Sequence, residues 1–285
     1  MVKIKNLIGT ALKYLAVILV AAYILGPFLW LIISSISNIS DLLKVPLDWL
    51  PDTIDLSRYQ SIFTSMEADG PAYSFRFAMI NSLIVAISVT ALGMFVGVPA
   101  AYAFARLKFK GKNGLLLGVL FSYMIPPVTI VIPLYMVMGK LQLMDSLFGL
   151  TIIYATFVTP FVIWIMRSYF ATIPKDLEDA ARIDGCNRLT ALVKVILPLA
   201  KPGLVATAIF SFLAAWDEFF YANIFTSTLK AKTISVAIAE FSAKNAVDYG
   251  MIAAGGVIAA LPPMVIALVL QRYIIEGLTS GSVKG

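Results

Sequence analysis

EDAARIDGCNRLTALVKVILP, from Glu178 to Pro198, lies in a polar segment, Arg167 to Lys201, flanked by two apolar stretches of membrane length. Its local signals predict a helix, a sharp turn and a second helix. Thr172 with Pro174 fits a helix start, and Asp176, Glu178 and Asp179 suit the positive end of the helix dipole. Gly185 is the residue type that takes the left-handed conformation ending such a helix, and Asn187 is placed to cap the next turn. Leu189, Leu192, Val193 and Ile196 form a stripe at helical spacing, and Pro198 and Pro202 break the run. On a chain with almost no other soluble mass, such a protrusion implies contact with a soluble partner.

Working outward, the composition requires lipid. Hydrophobic residues make up 60% of the 285 residues and charged residues 13%, against roughly 25% charged in soluble domains. A span needs about 20 apolar residues, because the hydrocarbon core is roughly 30 Å thick and a helix rises about 1.5 Å per residue. Residues 14–36, 77–105, 113–138, 147–166, 202–225 and 249–271 meet that requirement, with 167–201 between the fourth and fifth. The expected fold is an all-α integral membrane protein, a single six-helix bundle over residues 1–285, since lipid offers an unpaired backbone no hydrogen bonds.

Orientation follows from the basic residues. Lys3, Lys5, Lys13, Arg106, Lys108, Lys110, Lys112, the six in 167–201, Arg272 and Lys284 fall on one side and are most of the 22. That side is read as cytoplasmic, together with both termini. The net charge of +6 is then a consequence of topology, and nucleic acid is not an expected partner. The first apolar run is about twice the length of a signal-peptide core, so it reads as an uncleaved span. With Cys186 alone and no His, neither a disulfide framework nor a zinc site is available. No GxxxxGK[ST] loop or nucleophile–base pair is present, so the chain reads as non-catalytic, with no cofactor of its own.

Three features keep two readings each. Gly93, Gly97, Ala101 and Ala105 put small residues on one helix face, for packing inside the chain or against a second membrane subunit. Pro126–Pro127 and Pro262–Pro263 should each kink a span, shaping a cavity or merely bending a helix. Asp217 and Glu218 follow about 22 Å of helix from Pro202, short of the roughly 30 Å core. Either Trp216, Asp217 and Asn223 border a polar route, with Trp216 offering a flat face to a solute, or the helix ends early and the acids meet headgroup water. In the first outward loop, Trp49 and Tyr59 suit interfacial anchoring as well as binding.

Two motifs carry a family resemblance. Asp179-Ala180-Ala181, three residues, Gly185, nine residues, Val195, one residue and Leu197-Pro198 resembles the EAA loop of type-I ABC importer permeases, with Asp for the usual Glu and Val for the usual Ile. The tail QRYIIEGLTSGSVKG, Gln271 to Gly285, is similar to the C-terminus of the maltose-type, carbohydrate-importing branch. The resemblance implies a permease subunit in the cell membrane, multi-pass, partnered by a second homologous permease, two cytoplasmic ATPase subunits that bind ATP and Mg, and an extracytoplasmic solute-binding protein.

It also implies roles. The helix from about Pro174 to Asp184 would be gripped by an ATPase, with Glu178 and Asp179 at the charged contact, Ala180 and Ala181 allowing close seating, and Gly185 making the turn. Val195, Leu197 and Pro198 would tie the loop to the fifth span. Lys230, Lys232, Glu240 and Lys244 in the second outward loop are the expected contact for the binding protein, and Gly277 to Gly285 would reach toward the ATPases. The implied substrate is a sugar, most simply an oligosaccharide; the alternative is a non-sugar solute such as glycerol phosphate or a polyamine. A competing reading lays the 167–201 segment on anionic lipid, favoured by Arg182, Arg188 and Lys194 and opposed by Glu178 and Asp179.

Overall fold

A computed structural model describes residues 2–65, 70–241 and 248–279. Among these there are helices and no strands. In chain order they are α1 (Val2–Ile36), α2 (Ile39–Leu42), α3 (Ser57–Thr64), α4 (Pro71–Arg106), α5 (Lys112–Met124), α6 (Pro127–Lys140) and α7 (Leu147–Thr172). Then come α8 (Lys175–Ile183), α9 (Arg188–Ala191), a π-helical turn over Leu192–Ile196, α10 (Leu197–Leu199), α11 (Lys201–Trp216), α12 (Phe220–Phe225), α13 (Ile234–Glu240) and α14 (Tyr249–Thr279).

Four stretches are long and apolar enough to cross a membrane unbroken: Gly9–Ile36, Ala72–Arg106, Leu147–Thr172 and Tyr249–Ile274. Two helix pairs are bent, α5 with α6 at 94° and Arg188–Leu199 with α11 at 83°, and the crossings number up to six if each pair is one span. The first bend is set by Ile125-Pro126-Pro127. Proline disfavours the helical basin for the residue before it, and Ile125 is extended at ψ 123, after which Pro127 opens α6. At Pro262–Pro263 the helix is not interrupted: α14 runs through them as one helix, with Leu261 still helical. The fifth span also differs from the expected 202–225, because Pro202 starts a new helix at Lys201 and that helix ends at Trp216.

The chain groups into two compact units, residues 1–75 with 238–260, and residues 76–237 with 261–285. In the first, Arg58 is 7% exposed, which is tolerable because its guanidinium donates to the carbonyls of Ser37 (2.6 Å) and Ser35 (3.4 Å) and pairs with Asp248 at 3.5 Å. The Tyr59 hydroxyl donates to Ser35 Oγ at 2.7 Å, so the segment after α2 is tied to the end of α1. Trp49 meets Trp30 edge-on at 5.3 Å, and Phe75 stacks on Phe241 beside Gly255.

In the second unit α7 is the central element. It packs on α11, α5 and α12, and Leu150, Ile153, Tyr154, Val158, Val162, Met166 and Phe170 are almost fully buried. Gly93 and Gly97 of α4 lie against Val158 and Val162, so this small-residue face packs inside the chain. Gly203 similarly admits the Tyr169 ring, and Thr207 Oγ1 donates to the Gly203 carbonyl at 2.7 Å.

Candidate functional site

The polar segment forms the expected elbow, with local corrections. The Thr172 hydroxyl does not cap α8; it donates to the Tyr169 carbonyl at 2.8 Å inside the last turn of α7, and Pro174, extended at ψ 137, precedes α8 instead. Gly185 has φ +88, the left-handed conformation expected of it, and Asn187 Oδ1 accepts from the Thr190 N–H at 2.8 Å. The apolar stripe divides: Leu192 and Ile196 are buried, whereas Leu189 of α9 is 71% exposed and Val193, inside the π turn, 58% exposed.

On α8 the acids separate by role. Glu178 points back into the chain: Tyr102 donates to its Oε1 at 2.5 Å, and Arg106 Nε lies 3.6 Å from its Oε2. Arg106 in turn donates to the Ile173 carbonyl at 2.6 Å. The Arg106 side chain is 4% and the Glu178 side chain 12% exposed, so this is a shielded pair whose extra hydrogen bonds offset desolvation. Asp179, Ala180, Arg182, Asp184 and Gly185 are exposed, Ala181 is buried, and Ile183 is 87% exposed. Ile183 is thus an apolar side chain left open on a short charged helix. Val195 and Leu197 are half-buried and Pro198 exposed. Tyr102 and Arg106, which the sequence reading passed over, are an i, i+4 pair on the last turns of α4; a tyrosine and an arginine on one face at a span's end was the available signal.

The second candidate site lies past the end of α11. Trp216 is 3% exposed and stacks on Phe212 at 5.8 Å, so its face is taken up within the chain rather than offered to a sugar. Asp217 ends α11 and is exposed, as is Asn223. Glu218 accepts the backbone N–H of Tyr221 (2.8 Å) and of Ala222 (3.1 Å), satisfying two of the free donors at the start of α12. Below it a cavity of about 420 Å³ opens at the α5/α6 bend, lined by Glu218, Tyr221, Phe157, Tyr123, Thr156 and Ser122 among others.

Between α12 and α13 Lys230 is exposed and Lys232 half-buried, and the Asn81 side-chain amide donates to the carbonyls of Leu229 (2.9 Å) and Lys232 (3.0 Å). Asp145 accepts from the N–H groups of Ser227 (2.8 Å) and Thr228 (3.0 Å) and from the Thr228 hydroxyl (2.6 Å). Burial alone would raise its pKa, but these donors hold the carboxyl below its usual range. Glu240 is half-buried at the end of α13; Lys244 and the tail from 280 to 285 lie outside the described residues.

Residues 90–280 match the family described as "Binding-protein-dependent transport system inner membrane component". The chain is 39% identical over 269 residues to the trehalose transport system permease protein SugB of Mycobacterium tuberculosis, covering 94% of this chain and 95% of that one. It is 35% identical over 275 residues to the trehalose/maltose transport system permease protein MalG of Thermococcus litoralis, with 96% of each covered. A crystal structure of a bacterial ABC transporter involved in import of the acidic polysaccharide alginate contains a chain of the same fold, with a TM-score of 0.77, 23% identity, and coverage of 94% of this chain and 97% of that one.

Proposed function

Because this chain belongs to the family of binding-protein-dependent transport system inner membrane components, we propose that it is one permease subunit of an ATP-driven sugar importer. The sugar assignment is supported by relatives named for trehalose and maltose that match nearly end to end. In this reading the subunit crosses the cell membrane several times, with both termini and α8 on the cytoplasmic side, as the distribution of basic residues favours. A second homologous permease completes the pathway, two ATPase subunits hold ATP and Mg, and a solute-binding protein delivers the sugar at the outer face.

One observation carries the mechanism: Asp179, Ala180 and Ile183 stand exposed on the same short helix whose Glu178 is locked to Tyr102 and Arg106. A helix gripped on its open face and tied through its shielded face to α4 transmits displacement as a rigid lever. Asp179 makes the charged contact with the ATPase, Ile183 supplies apolar area, and Gly185 makes the turn into α9. Val195, Leu197 and Pro198 carry the motion into α11.

The experiment is reconstitution in vesicles with the ATPase and binding-protein partners, recording trehalose and maltose uptake beside ATP hydrolysis. A photo-crosslinker at position 183 should capture the ATPase. Failure of that crosslink in an assembly that transports sugar removes the lever, and sugar uptake by this chain alone removes the importer reading.

A further inference from the structure

A basic linker and an apolar groove share one face of α4 and α5, and we infer that together they seat one anionic diacyl phospholipid of the cytoplasmic leaflet. Its headgroup lies at Lys108 and Lys112, and one acyl chain runs between Val96 and Val119. The site needs the cytoplasmic placement of the α4/α5 linker proposed above and does not depend on the solute.

The headgroup end is rich in positive charge. Residues 106–112, Arg-Leu-Lys-Phe-Lys-Gly-Lys, hold four basic side chains and no acid. Arg106 is committed to Glu178 and the Ile173 carbonyl, but among the described residues Lys108, Lys110 and Lys112 form no ion pair. Lys112 Nζ donates to the Leu107 carbonyl at 3.1 Å, which holds the ammonium over the linker and leaves two N–H donors. A cavity of about 410 Å³ opens there, lined by Lys108, Phe109, Lys112 and Asn113 among others. Gly111, at φ +78, gives α5 no side-chain cap, so N–H groups of its first turn add to the donors. A phosphate fits this set, and a headgroup of net negative charge is favoured over one that brings its own ammonium.

The chain end is apolar. A second cavity, of about 400 Å³, lies between α4 and α5 against α7 and is lined by Leu92, Val96, Val119, Ile152 and Ile163 among others. Two of its three hydroxyls are already used, Ser122 donating to the Val119 carbonyl and Thr156 to the Ile153 carbonyl, so the groove asks for an apolar occupant. On α5, Lys112, Leu115, Val119 and Ser122 recur at helical spacing, and on α4 Leu92, Val96 and Ala103 do so, with Leu107 following. Each helix thus carries one face from the linker to the groove, and Leu115 and Val96 on those faces are 59% and 48% exposed. A helix rise of about 1.5 Å per residue puts Val119 about 10 Å and Ser122 about 15 Å from Lys112, the second being half of the roughly 30 Å hydrocarbon core. One acyl chain hanging from a headgroup at Lys112 therefore reaches and fills the groove. A free phosphate would leave the groove empty, and an apolar helix of a second subunit brings no anion to the three lysines.

The test uses the assembled transporter in phosphatidylcholine nanodiscs carrying a tracer of phosphatidylglycerol or of phosphatidylcholine, each with a photoactivatable group midway along one acyl chain. The phosphatidylglycerol tracer should label Val96 and Val119 at least about fivefold more than the phosphatidylcholine tracer does. Lys108→Gln, Lys110→Gln and Lys112→Gln together should abolish that preference and leave labelling of the exposed apolar face of α1 unchanged. Val96→Trp, which fills the groove and keeps every charge, should lower labelling of Val119 by the anionic tracer to the level of the neutral one. Equal labelling by the two lipids in the wild type, or a preference that survives the triple variant, overturns the site. So does full competition by millimolar inorganic phosphate, which makes the occupant a free anion. A photo-crosslinker at position 96 that captures a second permease subunit in place of lipid overturns it as well. Each of these failures leaves the importer reading intact, since that reading is decided by uptake.

Discussion

The Tyr102 hydroxyl donates to the Glu178 carboxylate at 2.5 Å across 76 residues of sequence, joining the end of α4 to the first turns of α8. The residue beside it, Asp179, is exposed. Neighbouring acids on one short helix thus face different ways, Glu178 into the bundle and Asp179 outward, and in the proposed function the outer one meets the ATPase.

Removing the inner contact should loosen the lever without altering its docking face. Tyr102→Phe deletes a hydrogen bond to a charged group, a loss of about 1.5–3 kcal/mol. The expected outcome is faster amide exchange over residues 175–183 and less sugar moved per ATP hydrolysed. Combining Tyr102→Phe with Glu178→Gln should be less than additive, since both act on one contact.

The outer contact should behave in the opposite way. Asp179→Lys and Ile183→Asp alter exposed side chains, so the thermal stability of the isolated subunit should change by less than about 0.5 kcal/mol. Co-purification of the ATPase subunits, or stimulation of their hydrolysis by loaded binding protein, should fall at least tenfold. Normal coupled transport by Asp179→Lys sinks the role given to that residue.

Close packing of α4 on α7 gives a stability prediction. A Cβ at Gly97 would lie 2.6 Å from Val162 Cγ1 and 2.9 Å from its Cβ, so a side chain there forces the helices apart. Gly97→Ile should destabilise the solubilised chain by about 1–3 kcal/mol in thermal unfolding. Val162→Ala, which opens space opposite, should recover part of the loss.

A pH dependence is expected where Asp145 holds the segment after α12. Its carboxyl titrates lower in the folded chain than in the unfolded one, because the Ser227 and Thr228 N–H groups and the Thr228 hydroxyl donate to the charged form. The stabilisation is therefore complete above the ordinary carboxylate pKa of about 3.9 and is lost as pH falls through the lower folded value. Hydrogen exchange over residues 226–233 should rise on acidification below about pH 4, and Asp145→Asn should raise it at neutral pH and flatten the profile.

What the sequence made legible was local or compositional. Gly185 and Asn187 behave as read because a left-handed turn and a helix cap are decided within a few residues. The lipid-spanning class followed from hydrophobic length. The Tyr102–Glu178 bond was not legible, because nothing near either residue specifies a partner 76 positions away. Of two Pro-Pro pairs one interrupts its helix and the other does not, since removing donors does not by itself decide whether the preceding residue leaves the helical basin: Ile125 does and Leu261 does not. Trp216 shows a related limit: its neighbours along the chain left a polar route and an early helix end both open, and its burial with its stack on Phe212 is a tertiary feature.

The bond that tethers α8 also constrains chimeras. Transplanting only residues 174–185 into a different permease would deliver the docking surface while leaving its anchorage behind, since Tyr102 and Arg106 belong to an element some 70 positions earlier. A hybrid meant to work with a foreign motor must inherit those two side chains along with the graft, or the imported handle will turn without moving the door.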